Sequence, residues 1–535
     1  MMQPLLEITD LKVDFNGSLA VDGVNLTINR GETLVLLGES GSGKSITAMS
    51  ILRILPTAAR VTSGKILLDG QDLLQQSELE MCEVRGAKVG IIFQEPQTSL
   101  NPVIKIGEQI AESLRRHKKI TEKEVRAEVI GLLDEIGIES ADKRYDDYPH
   151  QFSGGMKQRV MIAMALACEP ALLIADEPST ALDVTTQVQV LELLLKLQKQ
   201  RDMAILFITH DLGVAAKMAD NISVMLDGKI IEHAPRSRFF KQQQHPYSQQ
   251  LFKAFAEQGN EKSIPSASIP SADDILLEVK SLKVYFPIKT GLLKRTTGHV
   301  KAVNDISFTL EKGKTAVIVG ESGSGKTTLG KGILQLLPVT GGQVLFEGVD
   351  LVKLTASQLR KKRTDIQVIF QDPYSSMNPR MLVGDIIAEG MLTQGDKSLE
   401  QRQQRVEELL VQVGLEQSSR HRYPHEFSGG QRQRICIARA LAMEPKLIIC
   451  DEPTSALDSL FQAQILALLA DLQKKLGLSY LFITHNLALV DYIADHVMVM
   501  YQGEIVEQGS AKQVLHHPQH SYTQRLVSAV LKIEE

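Results

Sequence analysis

The 535-residue sequence predicts an α/β protein in which one domain plan is used twice, on three observations. Long segments of the first half return in the second. Each half carries an apolar strand, a glycine-rich loop and an apolar helical stretch in direct succession. Each then carries further short apolar runs that end in acidic or histidine side chains. Continuous apolar runs suit parallel strands that helices cover on both faces.

The duplication is explicit. Leu6–Val13 returns as Leu277–Val284, an offset of 271, and Gly38–Lys44 returns as Gly320–Lys326, an offset of 282. Phe152–Gly155 returns at Phe427–Gly430 and Thr209-His210 at Thr484-His485, both offset by 275. The step from 271 to 282 marks an insertion in the second copy between Phe286 and Ala302, the Gly291–His299 stretch. A repeat of this length is a duplicated domain, not a solenoid unit. The expected domains are therefore residues 1–256 and 275–535, joined by a linker over 257–274. The linker's small polar residues and two prolines, in Lys262–Ser271, cannot bury enough apolar area to fold. A tether this short holds one half around the other at an effective concentration on the order of millimolar.

Composition bounds the function. Hydrophobic residues make up 43% and charged residues 23%, as in soluble globular proteins with large cores. The net charge of -5 argues against a general nucleic-acid binder. No apolar run approaches the ~20 residues that span a bilayer as a helix, and Met1–Asp10 does not read as a secretory signal. Cys82, Cys168, Cys436 and Cys450 are scattered without Cys-x-x-Cys spacing, which fits a reducing, cytosolic setting.

The first chemical motif is the glycine loop. Thr33–Leu37 feeds into Gly38, Glu39, Ser40, Gly41, Ser42, Gly43, Lys44 and Ser45, then into the apolar helical stretch Ile46–Leu55 before Pro56. Thr315–Val319 feeds into Gly320, Glu321, Ser322, Gly323, Ser324, Gly325, Lys326 and Thr327, with Thr328 beside them and a helix expected to end near Pro338. Both fit G-x-x-x-x-G-K-[ST] in its strand–loop–helix context, the phosphate loop of ATP-binding proteins. Glycines let backbone N–H groups turn inward around phosphates, and the helix offers its positive end. Lys44 and Lys326 should reach the β- and γ-phosphates, while Ser45 and Thr327 should hold Mg²⁺.

The later strands supply the acids and the histidine. Ala171–Ala175 runs into Asp176-Glu177, and Lys446–Cys450 into Asp451-Glu452. An aspartate at a strand end suits the Mg²⁺ shell, and the adjacent glutamate can take a proton from attacking water. His210 and His485 each end an apolar strand, 33 residues after Glu177 and Glu452 respectively. That regularity favours a γ-phosphate contact over a structural role.

A further motif narrows the family. Ser153, Gly154, Gly155 and Met156, and Ser428, Gly429, Gly430 and Gln431, each follow a phenylalanine and precede a helix-forming run. They resemble the signature of ABC ATPases, in which the N-terminus of that helix caps the γ-phosphate held by the opposite domain. The resemblance implies an intramolecular head-to-tail dimer with ATP and Mg²⁺ as ligands. It implies Q-loops at Gln94 and Gln371, near the nucleotide and in the metal shell, and D-loops at Ser179–Asp183 and Thr454–Asp458. It gives Phe15 as the aromatic that stacks on adenine, with Tyr285 or Phe286 in that role in the second half. In fold it implies a RecA-like core of mostly parallel strands in each half, an antiparallel β subdomain at each N-terminus, and a helical subdomain near Pro102–His150 and Pro379–Tyr423.

Gln94–Pro102, Gln371–Pro379, His245-Pro246-Tyr247 and His520-Ser521-Tyr522 are similar to the oligopeptide/dipeptide importer branch, and Gly291–Arg295 marks the second half as like the other member of a paired set. Fused pairs of this kind resemble microcin C and glutathione importer ATPases. The partners so implied are two integral membrane permease subunits and, through them, a substrate-binding protein, with the chain peripheral on the cytoplasmic face of the inner membrane. Two departures stand out. Met156 replaces the usual signature glutamine, and the domain tails after His210 and His485 contain no cysteine, so no iron–sulfur cluster is expected. Tandem ABC proteins of the ribosome carry a long charged helical linker, and those of DNA repair carry zinc cysteines or a coiled coil; the sequence shows neither.

Overall fold

The computed structural model describes residues 4–94, 96–179, 182–257, 274–290, 295–394, 398–455 and 457–530. Linker residues 258–273, insertion residues 291–294, Glu95 of the first Q-loop segment, and Thr180, Ala181 and Ala456 of the D-loop segments lie outside them. The chain divides into two compact units, with the division between Lys253 and Ala254.

In the first unit six strands form one sheet, in the order Lys229–Pro235, Asn221–Leu226, Thr33–Leu37, Ala204–Thr209, Leu172–Asp176 and Val89–Ile92. All neighbours are parallel except the first pair. Every residue of the three central strands is buried, as the uninterrupted apolar runs require. A second, antiparallel sheet is built from Ser18–Ile28, Leu6–Phe15, Ala59–Leu68 and Gln71–Asp72. Its alternating inward residues, among them Leu6, Ile8, Val13 and Ile66, join the phosphate-loop helix in one core. The helices Ile106–His117 and Glu122–Glu135 form the helical portion. The second of these starts on a capping box, with Thr121 accepting from the Glu124 N–H and Glu124 accepting from the Thr121 N–H.

The second unit repeats the plan. Its parallel sheet runs Ile366–Ile369, Leu447–Asp451, Ser479–Thr484, Thr315–Val319 and His496–Tyr501, with Glu504–Gly509 added antiparallel. The antiparallel sheet is Arg295–Glu311, Ile275–Thr290, Gly341–Phe346 and Val349–Asp350. Helices Val383–Gln394 and Leu399–Gln412 match the helical pair of the first unit, the latter again opened by a capping box, between Ser398 and Gln401.

Two sequence expectations shift in detail. The helix after the first phosphate loop spans Lys44–Leu52, stopping short of Leu55. Arg53 adopts a left-handed conformation (φ 52°) and its N–H caps the helix, while its guanidinium bonds the carbonyls of Leu73 and Gln76. The second helix spans Lys326–Ile333 and likewise ends before Pro338. In both cases a tertiary contact or cap ends the helix ahead of the proline. The insertion of the second copy lengthens the first hairpin of that unit: pairing extends to Thr290 opposite Arg295, whereas the first copy turns at Asn16-Gly17.

Register positions the functional edge. Leu37 pairs with Thr209 and Asp176 with Ile208; Val319 pairs with Thr484 and Asp451 with Ile483. The phosphate loop, the acid pair and the histidine therefore leave the sheet at one carboxyl edge, where open parallel sheets bind ligands. Ile483 is fully buried at the centre of that edge. Ile483→Ala should destabilise the second unit by about 2–5 kcal/mol. Urea denaturation should show one of two transitions moving to lower concentration, and an unmoved profile would contradict the packing.

Candidate functional site

The glycine loop is shaped by the strands around it. Gly43 has φ 104°, and a Cβ there would stand 2.5 Å from the Ala20 carbonyl oxygen. Gly325 has φ 105° and meets the Ala302 carbonyl in the same way. Left-handed backbone and close approach together demand glycine. The turn behind each loop adds a hydrogen bond: Gly228 N–H donates to the Ser42 carbonyl and Gly503 N–H to the Ser324 carbonyl, both at 3.0 Å.

Each loop closes over its lysine. Lys44 Nζ donates to the carbonyls of Gly38 and Glu39 at 2.8 and 2.7 Å, and Lys326 Nζ donates to those of Gly320 and Glu321 at the same distances. Both lysines are 5% exposed. A buried ammonium held by carbonyl oxygens, on a loop that opens a helix, is a preformed receptor for polyphosphate. Ser40, Gly41, Ser322 and Gly323 stand at the exposed crest of the loops, and Ser42 and Ser324 beneath it. Thr328 lies in the first turn of its helix.

The hydroxyl and the strand-end aspartate meet. Thr327 Oγ1 donates to Asp451 Oδ1 at 3.0 Å, and Ser45 makes the same kind of bond to Asp176. Burial pushes both carboxyls above the usual range, against the pull of those hydroxyls. Asp176 Oδ1 is buried with no hydrogen-bond partner among the described residues. A buried, unsatisfied carboxylate oxygen beside a hydroxyl fits one side of a hard-cation site. No group of three His, Cys, Asp or Glu side chains suited to a metal occurs among the described residues, so phosphate and water would have to join the neutral side-chain oxygens as further ligands.

Next to it lies a three-residue clamp, present in both units. Gln94 Nε2 donates to Glu177 Oε2 at 2.9 Å, while His210 Nδ1 lies 3.0 Å from Glu177 Oε1. Gln371 and His485 hold the two oxygens of Glu452 at 2.9 and 3.1 Å. The Gln94 NH₂ group is thus engaged with Glu177, which leaves the amide oxygen as the atom a cation would take. Burial alone would lower the His210 pKa, but the Glu177 carboxylate outweighs it and the net shift is upward. Burial alone would raise the Glu452 carboxyl, but His485 and Lys326 outweigh it and the net shift is downward. Glu452 therefore stays ionised and able to accept a proton.

Both glutamates carry strained backbone, with φ 47° at Glu177 and 49° at Glu452. Their N–H groups donate to the carbonyls of Ile208 and Ile483 at 3.0 and 2.8 Å. Strain of this kind in a non-glycine residue collects at functional positions. Nothing in the residue pattern signals it. The hydroxyls of Thr209 and Thr484 were also not singled out, although each accepts the N–H of the residue after the histidine at 3.0 Å. The repeated Thr-His pair was the available signal.

Ser153, Gly154 and Gly155 open the helix Gly154–Leu166, and Ser428, Gly429 and Gly430 open Gly429–Leu441. Ser153 Oγ accepts from Met156 N–H at 3.3 Å and Ser428 Oγ from Gln431 N–H at 3.4 Å. Gln431 Oε1 accepts the Ser428 N–H in return at 3.0 Å, completing a capping box that Met156 cannot form. A Cβ on Gly155 would lie 2.5 Å from Thr186 Cγ2, whereas one on Gly154 meets no atom within 4 Å. Packing accounts for the second glycine, while the first faces open space at the helix start. Asp183 of the D-loop segment caps helix Val184–Arg201 through Thr186 N–H at 2.9 Å.

Phe15 ends its strand 38% exposed, and Phe286, 39% exposed, holds the same register position after the shared Leu-Lys-Val run. The Tyr285 hydroxyl is bonded to Asn304 at 2.5 Å. Register and exposure together favour Phe286 as the counterpart of Phe15.

Similarity to known proteins agrees with this geometry. The profile of the family described as ABC transporter matches residues 21–180 and 303–455. That described as oligopeptide/dipeptide transporter, C-terminal region, matches residues 231–280 and 506–535. The chain is 49% identical over 538 residues to the peptidoglycan transport ATP-binding protein YejF of Agrobacterium fabrum, covering 99% of this chain and 97% of that protein. It is 46% identical over 556 residues to the glutathione import ATP-binding protein GsiA of Pectobacterium atrosepticum, covering 98% and 89%. The solved structure of cbiO1 from Clostridium perfringens, part of the transporter complex cbiONQ, aligns with a TM-score of 0.40 at 29% identity over 46% of this chain and 92% of its own.

The two signature glycines should separate on substitution. Gly155→Ala should cost about 1–3 kcal/mol by overpacking against Thr186, measured by thermal denaturation. Gly154→Ala should leave the melting temperature near the parent's while lowering ATP hydrolysis. Equal stability losses for the two would refute the distinction.

Proposed function

Because the chain belongs to the ABC transporter family and carries its ATP-binding domain twice, we propose that it is the ATP-hydrolysing subunit of an importer for peptides or peptide-like compounds, with separate membrane permeases as its load. The observation that carries the substrate class is the oligopeptide/dipeptide C-terminal region, matched once in each half. The names of the two relatives, peptidoglycan transport and glutathione import, lie within that class. No helix of the described residues is long and apolar enough to cross a membrane. The mechanical work of transport therefore needs partners: two permeases, and through them a substrate-binding protein, with this chain on the cytoplasmic face of the membrane.

The chemistry follows from the residues. The loop N–H groups, with Lys44 or Lys326, take the β- and γ-phosphates of ATP. Ser45 with Asp176, Thr327 with Asp451, and the oxygens of Gln94 and Gln371 supply ligands for Mg²⁺. Mg²⁺ held there with the nucleotide would neutralise phosphate charge. Glu177 and Glu452 are the general bases, oriented by their glutamine and histidine partners and held off rotation by the strained peptide. His210 and His485, on the far side of each glutamate, turn toward the γ-phosphate. Phe15 and Phe286 stack on adenine.

Head-to-tail closure completes each site. The loop Gly38–Ser45 pairs with Ser428–Gln431, and Gly320–Thr327 with Ser153–Met156. Each signature helix then offers its positive N-terminus to a γ-phosphate held by the other half. The Gln94–Pro102 and Gln371–Pro379 segments dock the permeases, which couples closure to transport in both directions.

Glu177→Gln with Glu452→Gln should lower ATP turnover by about 10²–10⁴-fold and keep ATP binding. In that background cysteines at Ser40 and Gly429 should crosslink with ATP and not without it. Turnover near the parent's would refute the bases, and crosslinking indifferent to ATP would refute the head-to-tail pairing. The transporter reading is tested by reconstitution with the permeases in vesicles. Replacing Ser99–Asn101 and Ser376–Asn378 should abolish peptide uptake and spare ATP binding; uptake that survives both replacements would remove the docking assignment.

A further inference from the structure

The C-terminal segment of the second unit touches the phosphate loop. Tyr522, from helix Ser521–Ser528, is 2% exposed, and its hydroxyl oxygen accepts the Glu321 N–H at 2.9 Å. Glu321 is the second residue of the loop that closes over Lys326. Three features fix the tyrosine. Glu507 accepts the N–H groups of Gln519 and His520 at 2.8 and 3.0 Å, and His520 Nδ1 accepts the Tyr522 N–H at 3.2 Å. The Tyr522 ring lies against that of Tyr501, with centroids 4.2 Å apart. Tyr501 itself ends the strand His496–Tyr501, which pairs in parallel with the strand that feeds the loop.

The loop is thus gripped at two points. Gly503 N–H holds the Ser324 carbonyl near its middle, and Tyr522 holds the Glu321 N–H near its start. Between them lie Ser322 and Gly323, at the exposed crest of the loop. A receptor of backbone donors binds well in proportion to how much of its geometry is set beforehand. We propose that Tyr522 is a positioning residue for the second ATP site: its hydroxyl presets the entry of the phosphate loop and ties nucleotide affinity there to the C-terminal segment.

The same cradle recurs in the first unit. Glu232 accepts the N–H groups of Gln244 and His245 at 2.9 and 3.1 Å, and His245 Nδ1 accepts the Tyr247 N–H at 3.2 Å. The His-Pro-Tyr and His-Ser-Tyr sequences are in this light the means of aiming a tyrosine from a glutamate-bound helix start. In the second unit that tyrosine reaches the loop backbone.

The inference rests on the reading of Gly320–Thr327 as an ATP site, and the test separates the two. ATP binding is measured by calorimetry on the full chain in a Lys44→Ala background, which silences the first site. Tyr522→Phe keeps the ring and deletes the hydroxyl. It should weaken ATP binding about tenfold, the scale of one lost hydrogen bond, with the nucleotide-free melting temperature near the parent's. Tyr501→Phe, which deletes a hydroxyl away from the loop, should bind ATP like the parent. Parent-like affinity in Tyr522→Phe, or an equal loss in Tyr501→Phe, overturns the proposal. So does a fall in melting temperature with the ATP-induced stabilisation unchanged, since that marks a packing role alone. Should Tyr522→Phe fail to fold, Glu507→Gln decides on the same readout: weaker binding supports the proposal and parent affinity overturns it. If adding Lys326→Ala leaves ATP binding intact, the ATP-site reading itself fails and the inference falls with it.

Discussion

Everything at the candidate site depends on one constraint, the register of parallel strands. Because Leu37 lies opposite Thr209, and Asp176 opposite Ile208, three chain segments far apart in sequence leave the sheet at one level. A slip of one residue would turn every side chain of a strand to the other face. It would also carry Glu177 out of reach of His210, which it now meets at 3.0 Å. Burial enforces the register: the three strands are buried along their whole length, so no shifted pairing keeps the same core. The chemistry is positioned by packing that has no chemistry in it.

Within that frame the site stores a modest amount of unfavourable structure. Asp176 keeps a buried carboxylate oxygen without a partner among the described residues, and both glutamates sit in left-handed backbone. Each such feature costs on the order of 1–3 kcal/mol. A cation beside Asp176 and a water beside Glu177 would relieve the first and use the second. The lysines make the complementary case. Their ammonium groups are satisfied by loop carbonyls, so the loop is held in shape by a charge that a phosphate can share.

Much of this was legible in the sequence because the motifs are contiguous and occur twice. Strand, glycine loop and helix follow one another without interruption, and the buried parallel strands follow from short apolar runs of strand length. The Gln94–Glu177–His210 clamp was legible only in part. Its members are 83 and 33 residues apart, and no local pattern states that one glutamate will bind both of the others. Helix ends were misjudged where a tertiary contact intervened: Arg53 turns left-handed to reach Leu73 and Gln76, although Leu55 continues the apolar stretch. The role of Gly155 against Thr186 was invisible as well, since a signature glycine and a packing glycine are the same letter.

Duplication also makes small departures informative, because each half is the reference for the other. Met156 stands where Gln431 completes a capping box, so the helix Gly154–Leu166 starts with one fewer side-chain bond than Gly429–Leu441. Asp211 stands where Asn486 does, which adds a negative charge one residue from His210 and contributes to its raised pKa. The antiparallel hairpin is longer in the second unit, and Tyr285 there is tied to Asn304, which in turn binds Glu504. Apart from Asp211, which acts on His210 of the clamp, these changes leave the loop, the acid pair and the glutamate clamp alike in the two halves. They alter the bonds that hold helix starts and strand edges. The two halves therefore share the residues of the site and differ in the bonds that support them.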